Sequence, residues 1–390
     1  MDIEREIYLD NSATTKTAPE VNTAILDALT HCYGNPSSLH RLGMQAEKAF
    51  AAAKRAVAGL LGVTEGEVYI TSGGTESSNL AILGAAEANR RRGKHIICTG
   101  VEHPAVYETV KSLESRGYEV GFLGVDETGR ISLEEFEALL RPDTILACVM
   151  HVNNETGAVM PVEKLKPIMQ KKSPHALLFV DAVQSFGKIA VKPAKWGVDL
   201  LSASAHKIHG PKGVGALYVK KGTRIVPVQF GGHQQGGLRS GTENVPGAAG
   251  FGIAAELAQQ QMEARYARVR ELNHRLREGI LDKIDNVVFN SGGKEGENLP
   301  YILNVSFLGI KAEILLHALE SKDIYVSTGS ACSSNAPAPS RTLLAMGKSK
   351  KEIEGAVRFS FSGDNTAEEV DYTIGALTRA VAEIRKYVRG

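Results

Sequence analysis

Cysteine is scarce in this sequence: four residues in 390, Cys32, Cys98, Cys148 and Cys332, with no C-x-x-C pair among them. That spacing argues against a disulfide framework or a structural zinc site and predicts a reducing, cytoplasmic setting. Net charge is nearly absent as well, with 45 Lys and Arg against 44 Asp and Glu. Nothing therefore points to a nucleic acid or a membrane surface as the main partner. No apolar run approaches the roughly 20 residues needed to span a bilayer. The acidic start Met1-Asp2-Ile3-Glu4-Arg5-Glu6 lacks the basic-then-apolar pattern of a signal peptide. Internal repeats and low-complexity tracts are missing too.

What is present is an ordinary globular composition, 43% hydrophobic and 23% charged, long enough for two domains. Forty glycines cluster beside polar residues, as in loops that approach a ligand closely. Strand-like runs alternate with helical patterns from Glu67 to Val219: strands at 67–71, 95–99, 119–125, 144–151, 176–180 and 215–219, with helices at 77–90, 105–115, 133–140 and 162–171 between them. Ile225 to Val228 reads as one more strand. The alternation predicts an α/β fold, a mostly parallel sheet flanked by helices on both sides, with ligands bound beyond the carboxyl ends of the strands. Ala248 to Leu281 reads as one or two long helices, charged after Gln259, and the domain change is placed there. The expected division is an N-terminal segment 1–15 packing on the small domain, a large domain 16–260, and a smaller α+β domain 261–390.

Polar clusters follow the strands. Ser202-Ala203-Ser204-Ala205-His206-Lys207-Ile208-His209-Gly210-Pro211 follows the apolar run Val198 to Leu201 and closes in a Gly-Pro turn. A lysine behind small residues at a strand end suits a Schiff-base amine, provided that burial frees the amine as a nucleophile. With 45 Lys and Arg in the chain, a solvated loop lysine is the default reading. Other groups outweigh that default, because together they match the demands of pyridoxal phosphate. Gly73-Gly74-Thr75 at a helix start offers backbone N–H groups and a hydroxyl for a phosphate, or is a plain N-cap. Ser204 and His206 add donors beside Lys207. Asp181, after an apolar run, suits a carboxylate against a pyridine nitrogen, or caps a helix. Gln184 is placed to bond the ring hydroxyl. His103 suits ring stacking or proton relay, and Asn154 suits the ring hydroxyl or the substrate. His206-x-x-His209 lacks a third ligand in a sensible place, so no metal is expected.

Cys98 and Cys148 sit in apolar runs and read as structural. Cys332 lies in Ser327-Thr328-Gly329-Ser330-Ala331-Cys332-Ser333-Ser334, a small-residue loop suited to an accessible nucleophile. Arg358 is a charge inside the strand-like run Val357 to Phe361. It pairs either with a structural Asp or Glu or with the carboxylate of an amino-acid substrate.

These segments together resemble the cysteine desulfurases, the NifS/IscS type of fold-type I pyridoxal-phosphate enzyme in the class-V aminotransferase family. The resemblance runs through Tyr8 to Thr15, Gly34 to Ser38, Thr71 to Glu76, Glu102-His103, His151 to Glu155, Val180 to Gln184, the lysine stretch, Arg239 to Asn244 and the cysteine loop. It implies that Lys207 holds the cofactor, that Gly74, Thr75, Ser204 and His206 bind its phosphate, and that Thr242 reaches the phosphate of the other subunit of a homodimer. Asp181, Gln184 and Asn154 would position the ring, His103 would stack on it as an acid–base group, and Arg358 would clamp L-cysteine. Cys332 would take the sulfur as a persulfide, leave L-alanine and pass the sulfur to an acceptor protein, with a transient role as an iron–sulfur ligand also open. The loop resembles the long-loop group that serves iron–sulfur assembly. The chain, however, ends at Gly390, soon after Arg358, where housekeeping members carry a longer scaffold-docking tail. The acceptor thus stays open among a cluster scaffold, a tRNA-thiolation protein and another sulfur carrier. Selenocysteine lyase or another enzyme of the same fold is the alternative activity.

Overall fold

The computed structural model of the chain describes residues 6–328 and 339–388. After the short strand β1 (Ile7–Tyr8), the main sheet is formed by β2 (Val68–Thr71), β3 (His95–Thr99), β4 (Glu119–Leu123), β5 (Thr144–Met150), β6 (Leu177–Asp181), β7 (Leu200–Ser204) and β8 (Gly215–Val219). Their spatial order is β2-β8-β7-β6-β5-β3-β4. Pairing is parallel from β7 across to β4, and β8 runs antiparallel to both β7 and β2. The parallel pairs are joined through helices such as Pro104–Glu114, Leu133–Leu139 and Leu165–Lys172, because a parallel connection needs a crossover. Every residue of β3, β5, β7 and β8 is buried. Strands covered on both faces read as unbroken apolar runs, which is why they stand out in the sequence.

The expected strand at Ile225–Val228 does not form. Pro227 has no N–H for a ladder, and Val226 instead donates its N–H to the Gly84 carbonyl of the helix Gly74–Asn89.

The remaining strands are β9 (Val287–Phe289), β10 (Ile302–Phe307), β11 (Ile324–Tyr325) and β12 (Ala356–Ser360). They form an antiparallel sheet β12-β10-β9 and a separate parallel pair, β1 with β11. One uninterrupted helix, Val245–Lys283, joins the two regions, started by Asn244, whose side chain accepts the Gly247 N–H. Its first part, including Phe251 and Ala258, packs into the cluster under the large sheet. Its second part, from Val269 to Ile280, packs with β10, β12 and the helices Ala312–Glu320 and Ala367–Val388. The N-terminal segment bridges both regions. Leu9 and Asn11 donate backbone N–H groups to Tyr325 and Ser360, while Thr15 donates to the His206 carbonyl. The effect is to lay residues 12–14 across the carboxyl ends of the large sheet's strands.

Candidate active site

Parallel strands end their chains on one edge, and the register decides which side chains meet there. Met150 on β5 lies opposite Asp181 on β6, and Asp181 opposite Ser202 on β7. Lys207 follows β7 by one tight turn, Ala205–Lys207. The result is a cavity of about 220 Å³ at the strand ends.

One end of the cavity is formed by the start of the helix Gly74–Asn89. Gly73 precedes it at φ 152°, a backbone state that favours glycine. A Cβ on Gly74 would lie 2.7 Å from Val183 Cγ2, so glycine lets the helix start approach the wall closely. Thr75, Ser204 and His206 line the same end. The Ser204 Oγ is buried and has no hydrogen-bond partner among the described residues. His206 shares a 3.2 Å hydrogen bond with the Thr14 hydroxyl, and burial followed by the Lys207 charge pushes its pKa down to about 4.

Lys207 Nζ donates to the carbonyls of Ser12 (2.6 Å) and Ala13 (2.7 Å). Asp181 is 6% exposed and accepts the Val183 N–H at 2.9 Å. Burial raises its pKa, opposed by His103, the Val183 amide, the Ser202 hydroxyl and Lys207. His103 is pushed the other way: burial lowers its pKa against the attraction of Asp181. Its Nδ1 accepts the Ala105 N–H at 3.1 Å, so the neutral ring carries its proton on Nε2.

Arg358 enters from β12, 4% exposed. It donates to Asp10 (2.8 Å) and to the Asn154 carbonyl (2.9 Å), while its buried Nε has no partner among the described residues. Asp10 thus supplies the structural carboxylate, and the guanidinium still lines the cavity. Gln184 donates from Nε2 to the Ser12 carbonyl, which also receives Lys207.

The cavity therefore brings together Gly74, Thr75, His103, Asn154, Asp181, Gln184, Ser204, His206, Lys207 and Arg358. Thr242 is exposed and lies outside this lining. Cys332 lies outside the described residues. The segment that contains it leaves from Ser327, hydrogen-bonded in both directions to the Arg358 backbone, and returns at Ser340, whose hydroxyl donates to Glu155 at 2.5 Å. Both anchors adjoin cavity residues. Cys98 and Cys148 are fully buried, and burial pushes both thiols well above their ordinary pKa. The carbonyls of Ser12 and Ala13 were not legible as site groups. The only signal was a polar turn, and a backbone oxygen has no residue type to betray it. His206 and His209 are each committed elsewhere, His209 Nδ1 lying 3.0 Å from the Lys16 carbonyl. Among the described residues no group of three or more His, Cys, Asp or Glu is arranged to hold a metal, and no helix is long and apolar enough to cross a membrane.

The sequence matches the aminotransferase class-V family over residues 7–373. A cysteine desulfurase of Trichormus azollae is 44% identical over 379 residues, 97% of this chain and 94% of the relative. The chain belongs to the class-V aminotransferase family, among the cysteine desulfurases. Solved structures agree. A NifS-like protein superposes with a TM-score of 0.91 at 38% identity, covering 97% of this chain and all of that one. A structure described as SspA in complex with cysteine superposes at 0.79 with 32% identity, covering 92% of this chain and 100% of its own. The mostly parallel, helix-flanked sheet is the fold of this desulfurase family.

Proposed function

We propose that this desulfurase uses pyridoxal 5'-phosphate held by Lys207 and takes sulfur from L-cysteine onto Cys332, leaving L-alanine. The observation that carries the reading is the convergence of Lys207, Asp181, His103 and Arg358 on one cavity. The residues suit the cofactor. The orphaned Ser204 hydroxyl, Thr75 and the helix start at Gly74 make a seat for a dianionic phosphate. The buried Asp181 carboxylate needs a cationic partner, which a protonated pyridine nitrogen supplies.

Bound there, pyridoxal phosphate supplies an electron sink for the pair left when the substrate Cα–H bond breaks. Asp181 would keep a proton on the ring nitrogen. Gln184 and Asn154 would hold the ring hydroxyl. Lys207 Nζ would accept the substrate Cα proton. His103, whose Nδ1 is occupied by the Ala105 N–H, would lie against the ring and offer its Nε2 proton. Arg358 pairs with the substrate carboxylate through its unpartnered Nε edge, steadied by Asp10. The Cys332 thiolate attacks the substrate sulfur. An S–S bond forms as the carbon–sulfur bond breaks, the carbon keeps the electron pair, and protonation gives alanine. The persulfide then passes to an acceptor protein of iron–sulfur assembly, tRNA thiolation or another sulfur-carrier system.

The working unit in this reading is a homodimer, with Thr242 reaching the partner's phosphate. Large apolar side chains exposed on one chain support it: Leu26 (66%), Tyr33 (67%), Leu39 (96%) and Phe230 (82%). Borohydride treatment tests the cofactor assignment. Reduction of the purified protein is expected to fix pyridoxyl on Lys207, located by peptide mapping, and Lys207→Ala to retain none. Label on a different lysine, or none on the wild type, would overturn it.

A further inference from the structure

Lys188 is a second buried lysine, 5% exposed, which the chemistry above does not use. It lies one turn after Gln184 and donates from Nζ to Gln184 Oε1 at 3.0 Å. Gln184 Nε2 donates to the Ser12 carbonyl at 3.0 Å, and that carbonyl also accepts Lys207 Nζ at 2.6 Å. These bonds settle which way the Gln184 amide points. The Ser12 carbonyl only accepts, so the amide nitrogen must face Ser12, which leaves the oxygen to accept from Lys188 Nζ. The remaining N–H of Gln184, which lines the cavity, is then all that the amide offers there.

The surroundings hold the Lys188 side chain closely. The Tyr301 ring centroid lies 5.5 Å from Lys188 Nζ. A pocket of about 20 Å³, room for about one water, separates Lys188 from Lys207 and is also lined by His209, Arg265 and Tyr301. Burial, then the charges of Lys207 and Arg358, pushes the Lys188 pKa down to about 7. His206 and His209 also feel its charge, and Asp364 is the carboxylate on that side, 3.8 Å from His209 Nδ1.

We propose that Lys188 is a positioning residue: from beneath the site it locks the Gln184 amide so that Gln184 can only donate to the cofactor's ring oxygen. This rests on the pyridoxal-phosphate reading of the site. Donation to the ring oxygen stabilises its anionic form. Replacing Lys188 frees Gln184 Oε1, loosens the amide and weakens that donation, so the nitrogen that joins Lys207 to the cofactor becomes easier to protonate.

The test is a pH titration of the cofactor's visible absorption band in the holoenzyme without substrate. Lys188→Met is expected to raise the midpoint by about one unit, the scale of one charge-assisted hydrogen bond. In a Gln184→Ala background the same change is expected to move it by less than about a third of that, because the effect runs through the amide. Lys188→Gln, polar and less disruptive to folding, should shift the midpoint in the same direction by a smaller amount. An unmoved midpoint in the folded variants, or a full shift that persists without Gln184, overturns the proposal while leaving the cofactor assignment intact. A wild-type protein with no such band overturns the cofactor assignment and this proposal with it.

Discussion

Glu102 stands directly before His103 and is fully enclosed, 2% exposed. Its Oε1 accepts from the Thr99 hydroxyl (2.7 Å) and the Met150 N–H (2.6 Å), which ties the end of β3 to the end of β5. Its Oε2 has no partner among the described residues. Burial raises its pKa to about 8, against the opposing hydrogen bond from Thr99. The unfolded glutamate ionises near 4.5 and the folded one near 8. Between those values the unfolded chain loses a proton that the folded chain keeps, so this group makes stability fall as pH rises, and the loss levels off above about 8. Glu102→Gln imitates the protonated form. Denaturant unfolding is expected to show little difference from wild type at pH 4.5 and a gain on the order of 2–4 kcal/mol at pH 8. A constant difference across that range would contradict it. Residues also mark the limit of what the sequence reveals. Lys207, Asp181 and Arg358 declare themselves because a charge at the end of, or inside, an apolar run needs a reason. Lys188 gives no such sign. Its burial depends on Tyr301 and on the helix Val245–Lys283, more than fifty residues away.

Among the elements, the helix Gly74–Asn89 does most to place the anion end of the site. Its start is held by Arg239, which pairs with Glu76 at 2.9 Å and links two of the polar clusters. Gly74→Ala puts a methyl 2.7 Å from Val183 Cγ2, so either the helix start or Val183 must move. The expected cost is about 1–3 kcal/mol of stability, with weaker cofactor retention, measured by melting and by dialysis of the holoenzyme. Unchanged retention would show that the phosphate seat lies elsewhere. The inner strands β3, β5, β7 and β8 were legible because burial on both faces leaves unbroken apolar runs. The antiparallel insertion of β8 between β2 and β7 was not, since strand order depends on packing that no local pattern encodes. Ile225–Val228 misled for a related reason: its apolar residues cover a helix rather than join a ladder.

At the scale of the whole molecule, the site is assembled from distant pieces. The N-terminal segment gives the carbonyls that receive Lys207, the large sheet gives Asp181 and Lys207, and β12 gives Arg358. Pairing of Asp10 with Arg358 and of Asn11 with Ser360 couples the first to the last. The exposed apolar residues extend the same logic to a second copy of the chain. Phe230→Asp is expected to convert a dimer into monomer in sedimentation equilibrium, with cofactor affinity falling at least about tenfold as the cross-subunit phosphate contact is lost. A wild-type protein that sediments as a monomer and retains its cofactor would contradict this.

The account turns on the thiol that takes the sulfur. The most direct measurement is L-alanine and sulfide released from L-cysteine with a reductant present, for wild type and for Cys332→Ser. The account predicts equal amounts of both products from wild type. It predicts a loss of at least about a hundredfold in the variant, with the cofactor's absorption retained. A variant that releases sulfide and alanine as fast as wild type would contradict it and leave Cys332 without the role assigned here.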